Sequence, residues 1–350
     1  MVINNPKHLL VIRLSAMGDV AMTVPVICGM IKKYPAVKIT VLTKSFTAPI
    51  FTDIPNVSVF IADVKGRHKG VVGLWKLYKE LKNLEIDVVA DLHHVLRSTI
   101  LKQYFRLSSI PFVQLDKGRT EKRTLIDPER STFKPLKTTF CRYADVFNTI
   151  GYTIADNEMQ TLLPRKIPNS FSDFSRKGNY QLIGIAPFAA FKGKMYPLEL
   201  MEIVIDQLNK TNKYKIILFG GGAKEIELLT NWEKQYENCT NAAGKLSFSE
   251  ELALISNLKL MLAMDSGNAH LAAMFGVPTV TVWGVTHPYA GFYPFGQPES
   301  NALLSDRKKY PAIPTSIYGN KYPDGYDKVM ETISPDVVVL KISELLANKV

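Results

Sequence analysis

The sequence is poor in cysteine and contains no hydrophobic run of the roughly 20 residues that a membrane-spanning helix needs. Its three cysteines, Cys28, Cys141 and Cys239, lie far apart and show no Cys-x-x-Cys spacing. This pattern argues against a disulfide framework and gives no indication of a zinc site. The apolar stretch at residues 9–12 is too short for the core of a signal peptide. We therefore predict a cytoplasmic protein.

The motifs of two other functional classes are also missing. We find no recognition-helix signature, no zinc-ligand pattern and no RNP-like aromatic motif, which argues against nucleic-acid binding. The first predicted strand leads into Ser15-Ala16-Met17-Gly18-Asp19 and not into Gly-x-Gly-x-x-Gly, which argues against a nicotinamide-dependent dehydrogenase.

The composition is that of a folded protein with a basic surface. The chain has 350 residues, of which 46% are hydrophobic and 21% charged, and this length suggests about two domains. Lysine and arginine number 43 against 32 acidic residues, so the net charge is +11. The excess suggests an acidic partner, but nucleic acid, anionic lipid, phosphorylated sugars and a simply basic surface all remain open on charge alone.

Short β-rich runs alternate with amphipathic stretches, a pattern typical of parallel sheets covered by crossover helices. In the first half we predict strands at residues 8–13, 37–42, 57–61, 86–91 and 111–115, and helices at 20–34, 73–84, 97–105 and 140–150. Residues 159–179 are rich in proline and serine and indicate a surface linker.

A second alternating series follows this linker. We predict strands at residues 181–186, 215–219, 259–264 and 279–283, and helices at 198–208, 223–236, 249–255 and 268–275. Residues 294–327 are predicted to be loop, and Pro335 opens a final helix. The predicted fold is α/β, with two Rossmann-like doubly wound domains at 1–165 and 180–330 facing across a cleft, and a C-terminal helix at 335–350.

A turn in the second half has the residues of an anion site. The apolar strand ending at Met264 is followed at once by Asp265-Ser266-Gly267 and by a helix that contains His270. Asp265 or Ser266 can cap the helix, Gly267 allows close approach of the backbone, and the helix N terminus favours phosphate. The same residues fit equally well a capped strand-to-helix turn with a structural histidine.

Two further residues point to chemistry at strand ends. Lys194 lies in a basic loop between a strand and a helix, where it can neutralise a diphosphate, although a loop lysine is more often merely solvated. Asp19 follows the first strand and Gly18, where a carboxylate can accept a proton from a sugar hydroxyl. Alternatively, Asp19 only caps its helix, whose positive end would make it a weaker base.

At three separated segments the chain resembles glycosyltransferase family 9, the ADP-heptose:lipopolysaccharide heptosyltransferases. The segments are Ile12 to Val20 with Thr23 and Pro25, then Lys194-Met195-Tyr196-Pro197, and Asp265-Ser266-Gly267-Asn268-Ala269-His270 with the three residues that follow. Their order and spacing cover nearly the whole chain.

The resemblance implies a GT-B enzyme that inverts the anomeric centre without a metal, with Asp19 as the general base. It implies that the second domain binds the nucleotide-sugar donor, with Lys194 on the donor phosphates, Ser266, Gly267 and His270 on the diphosphate and sugar, Asp265 beside them and Leu246 beside the base. The absence of any Asp-x-Asp pair fits a site with no metal and no cofactor other than the co-substrate, expected to be ADP-heptose.

The sequence departs from the family pattern beside Lys194. Residues 187–191 contain no hydroxyl side chain where relatives often have serine or threonine, so that backbone amides or Lys192 are the candidate substitutes. Tyr196 replaces the tryptophan that is usual before the proline. These departures leave open a family member that uses another donor, such as a UDP-hexose, for a different surface glycan.

The acceptor side is predicted from basic residues after first-domain strands. Gly18, Arg97 and two clusters, at residues 65–69 and 117–123, are the candidates, and the clusters contribute Arg67, Lys69, Arg119 and Arg123. Such a rim suits an anionic lipid-linked oligosaccharide and peripheral contact with the inner face of the inner membrane. An ordinary solvated surface is the more frequent explanation of a charge cluster.

Overall fold

The structure is a computed structural model that describes residues 7–171 and 180–347. The chain divides into two compact units, Met1–Arg119 with Lys137–Leu162, and Thr120–Leu136 with Leu163–Val350. Parts of the predicted linker at 159–179 and of the terminal helix at 335–350 lie outside the described residues. In the part of the chain that is described, no helix has both the length and the apolar character needed to cross a membrane.

The first unit is built on a five-stranded parallel sheet with the order β3-β2-β1-β4-β5. Its strands are mostly buried because apolar residues face helices on both sides. The strands are β1 His8–Ile12, β2 Lys38–Thr43, β3 Val57–Ile61, β4 Val88–Asp91 and β5 Phe112–Gln114. The helices are α1 Met17–Ala21, α2 Val24–Lys33, α3 Gly70–Lys82, α4 Leu96–Leu107 and α6 Thr139–Ile150, with 3-10 helices at Ser45–Phe51 and Asp156–Glu158. Helix α5, Arg119–Ile126, begins at the last residue before the chain enters the second unit.

The second unit contains a six-stranded sheet with the order β11-β10-β9-β6-β7-β8, again with every paired strand parallel. The strands are β6 Gln181–Ala186, β7 Tyr214–Leu218, β8 Cys239–Asn241, β9 Leu260–Met264, β10 Thr279–Trp283 and β11 Ala302–Leu304. The helices are α7 Leu198–Lys210, α8 Ala223–Gln235, α9 Phe248–Ile255, α10 Gly267–Ala273 and α11 Pro335–Ala347. The described residues of this unit also contain 3-10 helices at Asn169–Phe171, Lys192–Lys194, Pro288–Ala290, Glu299–Asn301 and Tyr326–Thr332.

Each sheet reverses its strand order at one place, and ligands of doubly wound sheets bind beyond the carboxyl ends of the strands at that place. In the first sheet the reversal lies between β1 and β4, where Ile12 is in register with Asp91. In the second sheet it lies between β6 and β9, where Ala186 is in register with Ala263. The predicted catalytic aspartate follows β1, and the predicted donor residues other than Leu246 follow β6 or β9.

The helix predicted at 20–34 is instead two helices, α1 and α2, which meet at Met22 and Thr23. Pro25 near the start of α2 has no backbone N–H to donate to the preceding turn, so the chain restarts there. The hydroxyl of Thr23 donates to the carbonyl of Val20 at 2.7 Å and closes the end of α1.

Two stretches that we predicted to be irregular contain regular structure. The basic cluster at 117–123 runs into helix α5, and the loop predicted at 294–327 contains the short strand β11 and a 3-10 helix. The first domain was predicted as continuous over 1–165, but residues Thr120–Leu136 group with the second unit. Arg130 explains this grouping, because its guanidinium donates to the carbonyls of Pro311 and Ile313.

Candidate active site

In the first unit, Asp19 pairs with a buried arginine that the sequence motif contained but whose role we did not predict. Nη2 of Arg13 lies 2.5 Å from Oδ2 of Asp19, and the side chains are 7% and 24% exposed, respectively. Nη1 of Arg13 donates to the carbonyl of Leu92 at 2.6 Å, which fixes the guanidinium between the ends of β1 and β4. Burial lowers the pKa of Arg13, but the charges of Tyr143 and Asp19 outweigh it and raise that pKa overall.

The alternative role of Asp19 as a helix cap is also present. Oδ2 of Asp19 accepts the backbone N–H of Ala16 at 3.2 Å, one turn earlier. The carboxylate is therefore held by a backbone amide and by a guanidinium at once, and part of it stays accessible to solvent. An oriented and accessible carboxylate at this strand end has the geometry of a general base.

His93 is a residue of this site that we did not predict. It is buried after β4, and its Nε2 lies 3.4 Å from Oγ of Ser15. Its Nδ1 has no hydrogen-bond partner among the described residues. Burial, then the charges of Arg13 and Lys117, lower its pKa to about 3, so the ring is neutral at physiological pH. A neutral imidazole can donate one hydrogen bond and accept another from a substrate hydroxyl.

The loop that carries His93 is shaped by the buried carboxylate of Asp91. Oδ1 of Asp91 accepts the N–H groups of His93 and His94, and Oδ2 accepts Nε2 of Gln114. The signal for His93 was available in the sequence, because Asp91-Leu92-His93-His94 follows the strand that neighbours β1. Only the strand order shows that this segment and Asp19 lie together.

The predicted acceptor residues are spread over separate elements. Gly18 is buried within α1, and Arg97 is exposed in the first turn of α4. Arg119 lies close enough to the site for its charge to lower the pKa of Lys117, after burial and Arg13. Arg123 belongs to the part of α5 that groups with the second unit.

The cluster at residues 65–69 lies beyond β3, two strands from β1. Nη2 of Arg67 is 2.9 Å from Oε2 of Glu80, so Arg67 already has an anionic partner within the unit. Lys69 is exposed at the start of α3. The structure therefore separates Arg67 and Lys69 from the residues around Asp19.

In the second unit, Lys194 and Asp265 form an ion pair across the reversal between β6 and β9. Nζ of Lys194 is 2.8 Å from Oδ2 of Asp265, and the hydroxyl of Thr286 donates to the same oxygen at 2.8 Å. Thr286 follows β10. Residues that follow three neighbouring strands of the sheet, β6, β9 and β10, thus meet at one carboxylate.

Small residues let the loop of Lys194 approach the segment after β10. The carbonyl of Gly193 accepts the N–H of Val285 at 2.9 Å. Gly319 has φ of +77°, and a Cβ there would collide with the side chain of Lys194. A Cβ at Gly193 would collide with the side chain of Val285 and the carbonyl of Gly319, so both positions favour glycine.

Helix α10 begins beside this ion pair. Ser266 is its N-cap residue, but neither its side chain nor that of Asp265 makes the capping hydrogen bond that we expected. Oγ of Ser266 and Oδ1 of Asn268 are buried and have no hydrogen-bond partner among the described residues. Gly267 opens the helix, and His270 is buried one turn further on.

Buried polar atoms at a helix N terminus are suited to a polar, anionic ligand, because the first N–H groups of a helix have no partner within it. Lys192 is exposed in the loop that ends at Lys194, and Leu246 is half-buried between β8 and α9. The residues predicted on the donor thus border strand ends of one sheet. Within the described residues, no group of three or more histidine, cysteine, aspartate or glutamate side chains could hold a metal ion.

Tyr196 has a different environment from the one that its place in the family motif suggested. Its side chain is fully buried in the core, and its hydroxyl donates to the carbonyl of Ile333 at 2.6 Å. The presence of tyrosine at position 196, where the family usually has tryptophan, therefore changes the core of the second unit and not its surface at the strand ends.

Comparisons with known proteins agree with this architecture. The lipopolysaccharide core heptosyltransferase OpsX of Haemophilus influenzae is 28% identical over 81% of this chain and 80% of its own length. A glycosyl transferase family 9 protein from Veillonella parvula has a TM-score of 0.74 at 22% identity, and the match covers 98% of each chain. The E. coli ADP-heptose LPS heptosyltransferase II has a TM-score of 0.68 at 20% identity, over 98% of this chain and 99% of its own.

These structural matches confirm the predicted fold class, a GT-B fold with two doubly wound α/β domains. The family model described as glycosyltransferase family 9 (heptosyltransferase) matches residues 74–318, well over half of the chain. The protein is therefore a glycosyltransferase enzyme, and it belongs to glycosyltransferase family 9.

Proposed function

We propose that the enzyme transfers a heptose from ADP-heptose to a lipopolysaccharide inner-core acceptor, with inversion at the anomeric carbon. The observation that carries the proposal is the ion pair of Lys194 and Asp265 at the start of α10, beside two buried oxygens without partners among the described residues. Family membership and the heptosyltransferase names of its relatives support the choice of sugar.

The second unit is the donor-binding part in this proposal. Lys194 and Lys192 neutralise the diphosphate, and the N–H groups at Gly267 add hydrogen bonds to it. Ser266 and His270 bind phosphate or sugar oxygens, Asp265 keeps Lys194 in position, and Leu246 packs beside the base. No metal or other cofactor takes part, because the lysine and the helix N terminus stabilise the departing ADP.

Asp19 in the first unit is the general base. An acceptor hydroxyl gives its proton to the carboxylate of Asp19 while its oxygen forms a bond to the anomeric carbon. The bond from that carbon to the diphosphate breaks with its electron pair, and ADP leaves. Attack on the face opposite the leaving group inverts the anomeric centre, as in inverting glycosidases. Asp19 lies outside the segment matched by the family model, so its role rests on its own motif and geometry.

The acceptor is an anionic lipid-linked oligosaccharide, and nucleic acid is not a partner. Gly18, Arg97, Arg119 and Arg123 remain its candidate contacts, and Arg67 and Lys69 are the weakest candidates because of their distance along the sheet from β1. Since the acceptor is anchored in a bilayer, we place the enzyme in the cytoplasm, in peripheral contact with the inner face of the inner membrane.

A donor panel tests the proposal. We expect ADP-heptose to be turned over and ADP to bind, with UDP-hexoses inactive under the same conditions. Activity with a UDP-hexose, together with neither turnover nor binding of ADP-heptose, would replace this function by that of a family member acting on a different surface glycan. We include this alternative because residues 187–191 contain no hydroxyl side chain where relatives often have serine or threonine.

A further inference from the structure

Helices α3 and α4 of the first unit carry large apolar side chains that the described residues leave exposed. Val71 and Val72 in the first turn of α3 are 60% and 82% exposed, and Leu96 and Leu107 at the two ends of α4 are 76% and 72% exposed. Isolated exposed apolar residues are ordinary, but a contiguous group of them marks an interaction surface.

Direct contacts join Val71 and Trp75 of α3 to Tyr104 of α4. The ring of Trp75 lies 5.0 Å from that of Tyr104 on α4, in an edge-to-face arrangement. The hydroxyl of Tyr104 donates to the carbonyl of Val71 at 3.2 Å. Along α4 the spacing of Leu96, Ile100, Tyr104 and Leu107 places them on one side of the helix. We call this surface the α3–α4 face, defined by Val71, Val72, Trp75, Leu96, Tyr104 and Leu107.

The two helices that carry the apolar residues are also rich in positive charge. Helix α3 carries Lys76, Lys79 and Lys82 against a single acidic residue, Glu80, which is already paired with Arg67. Helix α4 carries Arg97, Lys102 and Arg106 and no acidic residue. Nζ of Lys79 lies 5.5 Å from the centre of the Trp75 ring, so cationic and apolar groups are interleaved.

We infer that the α3–α4 face docks on the surface of a bilayer that contains anionic lipids. An aromatic and aliphatic patch inserts at the boundary between head groups and acyl chains, while lysines beside it attract anionic head groups. Tryptophan is favoured at that depth because its ring is amphipathic. A binding site for a protein partner or for a second copy of the chain would be expected to contain fewer lysines, because lysine is depleted at protein interfaces.

This inference names the surface for the membrane contact in the proposed function, and it rests on that function only for the identity of the membrane. The face differs from the basic clusters at 65–69 and 117–123 that the sequence favoured. Those clusters lack apolar side chains, whereas α3 and α4 supply both apolar and basic ones. Both helices belong to the unit that carries Asp19, so docking brings the proposed base to the lipid-anchored acceptor.

Tryptophan fluorescence of the full chain tests the inference directly. Trp75 is 36% exposed, whereas Trp232 and Trp283 are 2% and 1% exposed, so Trp75 is the indole that a bilayer can reach. Addition of phosphatidylcholine vesicles containing phosphatidylglycerol should shift the emission to shorter wavelength, and pure phosphatidylcholine vesicles should shift it far less. Trp75→Phe should abolish the shift while the protein still sediments with the anionic vesicles.

Substitutions separate the two contributions. Val71→Ser with Val72→Ser should weaken vesicle binding about tenfold, because both side chains lose their apolar burial in the bilayer. Lys76→Gln with Lys79→Gln should weaken it about tenfold on anionic vesicles. Val337→Ser, an exposed valine on α11, and Lys224→Gln with Lys234→Gln, exposed lysines on α8, change the same chemistry elsewhere and should bind like the original protein.

The inference is overturned if the protein ignores anionic vesicles, or if the substituted and control proteins bind them equally. A Trp75 shift that depends on protein concentration without vesicles, and is lost in Val72→Ser, would assign the face to self-association instead. ADP binding is measured on the same samples, because vesicle docking needs no donor. Loss of ADP binding with intact docking would count against the proposed function alone.

Discussion

Nζ of Lys194 and Oδ2 of Asp265 lie 2.8 Å apart, although the lysine follows β6 and the aspartate follows β9. The pair holds a cation beside the start of α10 before any donor binds. In the proposed function a diphosphate would meet an oriented lysine, so that little side-chain entropy remains to be lost on binding.

Breaking this pair should cost stability. Asp265→Ala removes the partner of a largely buried lysine and of the Thr286 hydroxyl, so we expect the free energy of unfolding to fall by about 3 kcal/mol in urea titrations. Asp206→Ala breaks the exposed pair with Lys210 and should change it by less than about 1 kcal/mol. Equal unfolding curves for the two variants would show that the Lys194 pair contributes nothing.

Lys194→Gln should weaken ADP binding about tenfold to a hundredfold, because a charge-assisted hydrogen bond to phosphate is lost. Isothermal titration calorimetry with ADP measures this directly. Lys210→Gln supplies the control, since it removes an exposed lysine of the same unit. Unchanged ADP affinity in Lys194→Gln would remove Lys194 from the donor site.

Asp19→Asn should keep ADP binding and lose turnover by about a hundredfold to ten-thousandfold, the range for loss of a general base. The asparagine side chain has nearly the shape of aspartate but keeps only part of the contact with the Ala16 N–H group. Circular dichroism should therefore be recorded with the kinetics to show that the variant is folded. Asp206→Asn, at a surface ion pair, should retain full turnover. Near-normal turnover by Asp19→Asn would contradict the proposed base.

His93 should make the protein less stable in acid. Its pKa of about 3 in the folded state lies below the ordinary 6.5, so the unfolded chain binds a proton that the folded chain excludes. The contribution is fully present above pH 6.5 and decreases toward pH 3, by about 1.4 kcal/mol per pH unit.

The His93 prediction is checked by urea unfolding across this range. His93→Gln should flatten the acid slope by that amount, and the comparison above pH 6.5 measures the loss of packing alone. Parallel slopes for His93→Gln and the original protein would mean that His93 titrates alike in the folded and unfolded states.

Tyr196→Phe should lower the free energy of unfolding by about 1 to 3 kcal/mol, because the buried carbonyl of Ile333 loses its hydrogen bond. ADP affinity should stay the same, since the hydroxyl points into the core. Thermal unfolding and calorimetry on one preparation measure both quantities. A loss of ADP affinity without loss of stability would place Tyr196 at the donor instead.

The sequence predicts the strands of both sheets well where they are continuous and buried. Strand β9 is apolar throughout and fully buried, and its short length before a turn favours an interior strand. The short edge strands β8, Cys-Thr-Asn, and β11, Ala-Leu-Leu, were missed because they contain neither the valine nor the aromatic residue found in the equally short edge strand β5, Phe-Val-Gln. Helix α5 was predicted as part of a basic loop, because it is mostly charged and its one buried residue, Leu125, does not form an apolar pattern.

The positions of the candidate residues at strand ends could be predicted where the residues are close in sequence, whereas contacts between residues that meet only in space could not. Asp19, Lys194 and Asp265 belong to local motifs, and each lies at a strand end as expected. The pairs Arg13–Asp19 and Lys194–Asp265 depend on side-chain direction, and the place of His93 depends on which strands are neighbours. Spacing along the chain contains none of that information.

The segment Thr120–Leu136 makes the polypeptide pass between the two units three times, so no single cut yields both of them whole. A gene fragment that starts after Leu162 would lack Arg130 and leave the carbonyls of Pro311 and Ile313 without its guanidinium. Independent production of the second unit therefore requires a fused or circularly permuted gene that encodes residues 120–136 in the same polypeptide as the C-terminal half.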